Sequence, residues 1–202
     1  IELRNKIMKE KVIVVDADGV LLDWTYSFTQ WMTRHGYPKV DVHTYDMAEV
    51  YNMPKVEIQK LIRIFNESAA IYNLPPLRDA IKYIRKLHEE HGYVFHVVSS
   101  LSNDYNAQHL RTKNLQNLFG ITTFEKFIYL DTGADKDEVL RDNYGDTGCY
   151  FVEDKVENAE CGVDCGLESI LMIHTHNMGV ETYESIHRVW DWKGIVNIIT
   201  EL

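Results

Sequence analysis

Two aspartates end an apolar stretch near the start of the chain, in the sequence VIVVDADGVLLD at positions 12–23. Asp16 and Asp18 repel each other, and an apolar setting penalises either charge unless it is neutralised, paired or bound to a cation. A carboxylate at the end of a strand could act as a nucleophile, a metal ligand or an acid–base group. The alternative is a turn or helix cap, because Asp-Gly is frequent in turns. An EF-hand calcium loop is excluded, since Gly19 follows Asp16 too closely for the glycine of that loop.

Two later stretches also place polar side chains where chemistry could occur. HVVSS ends in Ser99 and Ser100, whose hydroxyl and backbone amide groups could hold a phosphate oxygen. The alternative is that a serine here caps the helix predicted from Ser102. GADKDEVL puts Lys136 at a predicted helix start, where the helix dipole disfavours a cation. An acidic partner would explain such a lysine, and the alternative is an ordinary solvated side chain.

A fourth stretch, CYFVEDKVEN, ends an apolar run with the adjacent acids Glu153 and Asp154. The alternative interpretation is a negatively charged first helical turn, but it does not explain why acids recur at two separate strand ends. Several carboxylates with one lysine and a hydroxyl are typical of a magnesium site that water and a substrate phosphate complete. Such a cation would relieve the repulsion between Asp16 and Asp18, and it would make an anionic substrate acceptable to an acidic protein.

The elements that must position these residues alternate along the chain. The predicted strands are Val12–Val15, Tyr93–Val98, Phe127–Leu130, Cys149–Val152 and Ser169–Ile173. The predicted helices between and after them are Arg78–His91, Ser102–Phe119, Lys136–Asn143, Lys155–Cys165 and Trp192–Leu202. This alternation predicts an α/β fold with a parallel sheet covered on both faces, in which ligands bind at the carboxyl ends of the strands. All four polar stretches would then meet at one edge of the sheet.

The segment 24–74 interrupts this alternation, because it contains helix-like patterns and no convincing strand. The patterns are Trp24–His35 and Lys55–Ser68, and the punctuation is Gly36, Pro38, Pro54 and Pro75-Pro76. We expect an inserted helical lobe that lies over the strand carrying the aspartates. The predicted domains are a core formed by 1–23 and 75–202, and a helical cap at 24–74.

Composition restricts the function classes. The chain has 202 residues, 45% of them hydrophobic, and a formal net charge of -10, as in a globular enzyme or binding domain. The charge argues against nucleic-acid polymers and anionic membranes as partners, and no apolar run is long enough to span a bilayer. The start, IELRNKIMKEK, is too charged for a secretory signal, and Met8 is a candidate native start.

The cysteine and histidine pairs of the sequence give little indication of a metal site. The chain has three cysteines, which form no even framework, and this favours a reducing cytoplasm. Cys161 and Cys165 could share a helical face, and His174 and His176 could share one side of a strand. Neither pair has the further ligands of a zinc site nearby in sequence, so we favour ordinary packing for both.

The ordered motifs, DxDG, a strand followed by serine, a lysine and an acidic pair, resemble those of the haloacid dehalogenase superfamily of aspartate-nucleophile phosphatases. The resemblance covers nearly the whole chain. It implies a three-layer α/β/α Rossmann-like core with a small C1-type helical cap. It also implies that Asp16 attacks phosphorus to form an aspartyl-phosphate, and that Asp18 protonates the leaving oxygen and then activates water. Ser99 would bind the phosphoryl group and Lys136 would offset charge. The implied magnesium ligands are Asp16, the Asp18 backbone carbonyl, Asp154 and, assisting, Glu153.

A closer similarity is to the 5'(3')-deoxyribonucleotidase family, carried by DADGVLLDW, IFNESAAIYNLPPLRDA, VVSS, ADK, EDKVEN, IHTHN and RVWDW. It implies that Trp24 and Phe65 face a nucleobase and that Ser100 contacts the substrate. The aromatic residues of the predicted helix from Trp24 could instead form its own apolar stripe. We favour that stripe for Phe28 and Trp31, and substrate contact for Trp24.

Three positions depart from this family, and the last two of them leave the substrate preference open. The acidic pair is Glu153-Asp154 where the family more often has Asp-Asp, and this swap is compatible with catalysis. Arg78-Asp79 replaces a Pro-Gly pair, and Ala134 replaces an arginine before the Asp-Lys pair.

We therefore expect a cytoplasmic, magnesium-dependent phosphatase for nucleoside or deoxynucleoside monophosphates. The alternatives are a phosphatase for another small metabolite, such as a sugar phosphate, and a catalytically silent binding protein of the same fold. The filled catalytic positions argue against silence. The expected partner is a small phosphomonoester, and the aromatic-rich cap leaves a homodimer open.

Overall fold

The computed structural model of the protein describes residues 11–201. Residues 1–10 and 202 lie outside this range, and with them the expectation for Met8 and the first part of the predicted core segment 1–23. Among residues 11–201, none of the helices combines the length and the apolar character that crossing a membrane requires.

A parallel sheet forms the centre of the described structure. Its strands are β1 Val12–Val15, β2 Val94–Ser100, β3 Phe124–Leu130, β4 Tyr150–Glu153, β5 Glu168–Met172 and β6 His187–Val189. They are ordered β3-β2-β1-β4-β5-β6, and each neighbouring pair is parallel. The predicted α/β fold is confirmed. β1 lies between β2 and β4, so the aspartates that follow it lie at the centre of the carboxyl edge.

Helices surround this sheet and also fill the connection between β1 and β2. That connection contains α1 Trp24–Arg34, α2 Met47–Val50, α3 Lys55–Asn66, the 3-10 helix Ala69–Asn73 and α4 Ala80–Glu89. The remaining helices are α5 Tyr105–Phe119, α6 Asp137–Tyr144, α7 Val156–Asp164 and α8 Trp192–Thr200.

The alternation of side chains along β1 produces the layers, because successive residues of a strand point to opposite faces. Ile13 and Val15 belong to an apolar cluster with residues of α4, α5 and α8. Val12 and Val14 belong to a second cluster with Leu140 of α6. Both faces of the sheet are therefore covered, which is why β1 is apolar at every position.

The two ends of the helical segment 24–74 lie side by side, because the residues that flank them are hydrogen-bonded to each other. The amide of Asp23 donates to the carbonyl of Pro75 at 2.9 Å, and the amide of Leu77 donates to the carbonyl of Leu21 at 2.8 Å. Both predicted helices of the segment are present, and Asp23 caps α1 by accepting from the Tyr26 amide. The division of the chain into a core and a cap stays a prediction.

Several boundaries differ from the sequence prediction. β6, only three residues long, was not predicted. β2 continues through Ser100, so both serines end the strand. The helix predicted from Arg78 begins at Ala80 instead, because Arg78 has a φ of 44°, which no right-handed helix accommodates. A serine cap for α5 is wrong: Asp104 caps it by accepting from the Ala107 amide at 2.7 Å.

Candidate active site

The loop after β1 is a tight turn that holds Asp16 in place. The Asp16 amide donates to the Val152 carbonyl of β4 at 3.0 Å, which extends the sheet pairing to the aspartate itself. Oδ1 of Asp16 accepts from the Ala17 amide at 2.7 Å. The amides of Leu21 and Leu22 both donate to the Ala17 carbonyl, at 2.8 and 2.9 Å. Asp16 is 9% exposed, so it is nearly buried but reachable from the edge of the sheet.

Gly19 lets this loop approach the end of β4. Its φ is 73°, and a β-carbon built on it would lie 2.2 Å from Oδ2 of Asp154. Any larger residue would collide with that carboxylate, and it would also be strained in the left-handed region. The Asp-Gly pair therefore forms a turn, as the alternative interpretation held. The same turn lets the loop that carries Asp16 pack beside Asp154, which follows β4.

Lys136 is buried between two of the predicted site residues. Its side chain is 1% exposed, and Nζ lies 3.1 Å from Oδ1 of Asp16 and 2.7 Å from Oε2 of Glu153. Burial alone would lower the pKa of Lys136, but the Asp16 and Glu153 carboxylates outweigh it and raise this pKa above its ordinary value. The alternative of a solvated surface lysine is wrong, and the cation at the start of α6 has the acidic partners that its position suggested.

The acidic pair completes a cluster of carboxylates. Among residues 11–201, Asp16, Glu153 and Asp154 form the group that can offer metal ligand atoms within 4.8 Å of one another. Oε1 of Glu153 accepts from the amides of Asp154 and Lys155, each at 3.2 Å. Burial, and then the Asp16 charge, raise the pKa of Glu153 to about 7. Burial and the Glu153 charge raise the pKa of Asp154 well above its ordinary value.

These residues fit a hard divalent cation. The three carboxylates provide oxygen donors, which magnesium prefers. The raised pKa values of Glu153 and Asp154 indicate that Lys136 alone does not fully compensate the negative charge of these two carboxylates, and a cation would supply the missing positive charge. Neither the Cys161–Cys165 pair nor the pair of histidines at 174 and 176 belongs to this group.

The side chain of Asp18 does not belong to this cluster of carboxylates and pairs with a residue that the sequence did not single out. Nη2 of Arg111 lies 2.9 Å from Oδ1 and 3.1 Å from Oδ2 of Asp18. Burial raises the pKa of Asp18 to about 6, although Arg111 lowers it and Asp16 raises it further. A carboxyl group with such a pKa can both donate and accept a proton near neutrality. The sequence signal for Arg111 was its position four residues from Ala107 on the buried face of α5.

The two serines of β2 have different surroundings. Ser99 is 1% exposed, and its Oγ lies 3.5 Å from Nη1 of Arg111. Ser100 is half-buried and donates its hydroxyl hydrogen to the Ala134 carbonyl at 2.7 Å. Ser100 therefore holds the loop that carries Lys136. Whether either serine touches a substrate stays a prediction.

The aromatic residues of the helical segment form a stacked group. The ring of Trp24 stacks on Phe28 at 4.5 Å between centroids, and its Nε1 donates to Oδ1 of Asn66 at 2.9 Å. Phe28 and Phe65 are 1% and 0% exposed, so both rings are core residues. For Phe28 this matches the expectation. The predicted contact between Phe65 and a base remains untested, and Phe65 has no exposed surface with which to make it. Trp24 is only partly buried.

A histidine after β5 supports the aspartate loop, and sequence reasoning gave it no such role. Nε2 of His174 lies 2.7 Å from the Gly19 carbonyl, and its Nδ1 lies 3.2 Å from Nη2 of Arg78. Burial lowers the pKa of His174 to about 4, so the ring is neutral, donates through Nε2 and accepts from Arg78. Arg78 also donates to the carbonyls of Ile173 and Trp190. The sequence feature that could have indicated this contact is the Arg78-Asp79 pair, which departs from the Pro-Gly pair of the family that the sequence resembles.

Comparisons with known proteins give one sequence relative above chance. No family model matches the chain. An uncharacterized 32.4 kDa protein from the Gp30-rIII intergenic region of Enterobacteria phage T4 is 26% identical over 136 residues. The match covers 64% of this chain and 48% of that protein, so the chain spans about half the length of the curated relative.

Solved structures share the fold at low sequence identity. A haloacid dehalogenase-like hydrolase from Streptococcus pneumoniae has a TM-score of 0.63 and 13% identity, over 94% of this chain and 98% of that one. D,D-heptose 1,7-bisphosphate phosphatase from B. bronchiseptica, solved with magnesium and phosphate, has a TM-score of 0.58 and 11% identity, over 95% and 98%. A HAD-superfamily hydrolase from Ehrlichia chaffeensis has a TM-score of 0.53 and 18% identity, over 96% and 97%. The chain therefore has the α/β Rossmann-like fold of haloacid dehalogenase-like hydrolases.

Proposed function

We propose that the chain is a magnesium-dependent phosphomonoesterase that forms an aspartyl-phosphate on Asp16. The observation that carries this proposal is the position of Asp16, whose Oδ1 lies 3.1 Å from Nζ of the buried Lys136 beside Glu153 and Asp154. A carboxylate nucleophile must be ionised and must be approached by a dianionic phosphate. An ionised carboxylate and a dianionic phosphate can approach each other only where positive charge offsets their repulsion. Lys136 and a magnesium ion bound by the carboxylates would supply that charge.

The side chains suit a two-step transfer. Oδ1 of Asp16 is engaged by the Ala17 amide and by Lys136, which leaves Oδ2 to attack phosphorus. The bond between phosphorus and the leaving oxygen breaks as the Asp16–phosphorus bond forms, and Asp18 gives its proton to that oxygen. Asp18 then accepts a proton from water, which attacks phosphorus and releases inorganic phosphate and free Asp16. A carboxyl pKa of about 6 suits this exchange in both directions.

Magnesium would be held by Asp16, Asp154, Glu153 and the Asp18 carbonyl, and would supply neutralisation of phosphate charge. Lys136 contributes the fixed positive charge beside the nucleophile. Glu153 orients Lys136 through the 2.7 Å contact and is itself held by two backbone amides. In this proposal, Ser99 and the backbone amides at the end of β2 would receive phosphoryl oxygens.

Nucleoside or deoxynucleoside monophosphates are the substrates that we propose. The partly exposed indole of Trp24 supports this, because it follows the helix cap Asp23 directly and its ring could stack on a planar base. A sugar phosphate is the second candidate, since the heptose bisphosphate phosphatase among the structural neighbours acts on one. A silent binding protein is disfavoured, because Asp16, Asp18 and Lys136 are all in place.

Hydrolysis of p-nitrophenyl phosphate with and without magnesium tests the reaction. We expect magnesium-dependent turnover in the wild type and its loss in Asp16→Asn, with the exposed Asp41→Asn as a matched control that keeps activity. An inactive wild type, or an Asp16→Asn variant with unchanged rate, contradicts the mechanism. A panel of nucleoside monophosphates and sugar phosphates at fixed magnesium then tests the substrate class. Sugar phosphates turned over as well as every nucleotide would contradict the nucleotidase proposal.

A further inference from the structure

A buried arginine that the proposed reaction does not use lies directly behind the aspartate loop. The Arg111 side chain of α5 is 0% exposed, and its Nη2 lies within 3.1 Å of both carboxylate oxygens of Asp18. Its Nη1 lies 3.5 Å from Oγ of Ser99. One guanidinium group therefore joins the proposed proton donor to the residue proposed to bind the phosphoryl group. Asp18 lies in the loop after β1, whereas Ser99 belongs to β2.

Stability alone does not account for the buried ion pair between Arg111 and Asp18. Removing two charges from water is costly, and apolar side chains of similar volume often stabilise a fold at least as well as a buried ion pair. Two of its atoms, Nε of Arg111 and Oδ1 of Asp18, are buried without a hydrogen-bond partner. The 2.9 Å approach of Nη2 to Oδ1 is thus a charge contact without hydrogen-bond geometry. Unused hydrogen-bonding capacity in a buried pair points to a functional role.

The packing of α5 shows how Arg111 can act. Ala107 and Leu115, one turn before and one turn after it, are both fully buried. The guanidinium group is therefore enclosed, and it has no surface that a substrate could touch. Any effect of Arg111 on the reaction must pass through Asp18 and Ser99, whose side chains it holds.

We propose that Arg111 is a positioning residue for proton transfer to the leaving group, because it fixes the Asp18 carboxyl group relative to Ser99. This proposal rests on the proposed phosphatase function. Its consequence is specific to the leaving group: loss of Arg111 slows reactions whose leaving oxygen must be protonated, and has little effect where the leaving group departs as a stable anion. A purely structural arginine would slow both reactions equally.

Two substrates therefore test the proposal. The leaving group of p-nitrophenyl phosphate needs no proton, whereas that of glycerol 2-phosphate does. We expect Arg111→Met to lower kcat/KM for glycerol 2-phosphate by about 10- to 100-fold, and to change that for p-nitrophenyl phosphate far less. Lys113→Met removes an exposed cation from the same helix and is the matched control, for which we expect no change with either substrate.

Two more variants keep the test decisive if Arg111→Met folds poorly. Arg111→Lys retains the positive charge but not the planar fork, and we expect it to show the same selective loss to a smaller extent. Adding Arg111→Met to Asp18→Asn removes both charges, and we expect no further loss on glycerol 2-phosphate relative to Asp18→Asn. Equal losses on both substrates in an active enzyme overturn the role of Arg111 alone. Absence of magnesium-dependent turnover in the wild type overturns that role and the proposed function together.

Discussion

A β-carbon on Gly19 would lie 2.2 Å from Oδ2 of Asp154, a distance at which no real side chain is accommodated. The loop after β1 and the carboxylate after β4 are thus packed as closely as the backbone allows. This contact sets the distance between the proposed nucleophile loop and one of the proposed metal ligands.

Gly19→Ala should displace Asp154 and weaken magnesium binding. We expect the magnesium affinity measured by titration calorimetry to fall by about 10- to 100-fold, together with turnover, because a ligand is displaced. Gly92→Ala is the matched control, since Gly92 has a φ of 74° and open space around its would-be β-carbon. The control should lose only about 1–3 kcal/mol of stability from backbone strain. Similar magnesium affinities in the two variants would show that the close approach is unimportant.

Lys136→Met should abolish most of the activity and lower the free energy of unfolding. Removal of one charge-stabilising group lowers kcat by about 10²- to 10³-fold, and the remaining buried carboxylates cost about 3–5 kcal/mol of stability. Turnover of p-nitrophenyl phosphate and urea denaturation measure the two effects. Lys60→Met, on the exposed surface of α3, is the control and should change neither. A Lys136→Met enzyme within a few-fold of wild type would contradict the role assigned to this lysine.

The magnesium-free protein should gain stability from its acidic cluster as the pH falls. Glu153 has a folded pKa of about 7 against an ordinary 4.5, and Asp18 one of about 6 against 3.8. The folded state therefore binds protons more tightly than the unfolded state. The resulting stabilisation is complete below the ordinary values and is lost as the pH rises through about 6 to 7.

Thermal denaturation with EDTA or magnesium, at about pH 5 and about pH 8, measures this linkage. Magnesium should raise the melting temperature more at the higher pH, because protons compete with the cation for the same carboxylates. Glu153→Gln removes one titrating group and should reduce the pH dependence in EDTA. An equal magnesium effect at both pH values would argue against a cation bound by these carboxylates.

Trp24→Leu should weaken binding of nucleotides more than binding of other phosphates. Stacking of a base on an aromatic ring is worth about 1–3 kcal/mol, so we expect KM for a preferred nucleoside monophosphate to rise about 5- to 150-fold. KM for glycerol 2-phosphate should change little. Trp190→Leu is the control, because that ring is 57% exposed and lies in the segment before α8. A parallel rise in both KM values would show that Trp24 serves packing on Phe28 rather than base recognition.

Local patterns were sufficient for the sheet and for much of the site. Near-continuous apolar runs, rich in β-branched and aromatic residues, predicted five of the strands, because a strand buried on both faces is mostly apolar. Once the strands were parallel, their carboxyl ends had to share an edge. The meeting of Asp16, Lys136 and Glu153 therefore followed from sequence order alone. The three-residue strand β6 is too short to carry such a pattern.

Tertiary packing decided the rest, because those contacts join residues that are far apart in the chain. Asp18 and Arg111 are 93 positions apart, and only the docking of α5 against the sheet brings the guanidinium group to the carboxylate. The depth of Phe65 likewise depends on how α1 and α3 close on each other. Sequence by itself determined which residues stand at the strand ends, and so the type of chemistry that we propose. The structure alone decided which buried side chains hold those residues in place, since pairing across layers leaves no periodic signal in the chain.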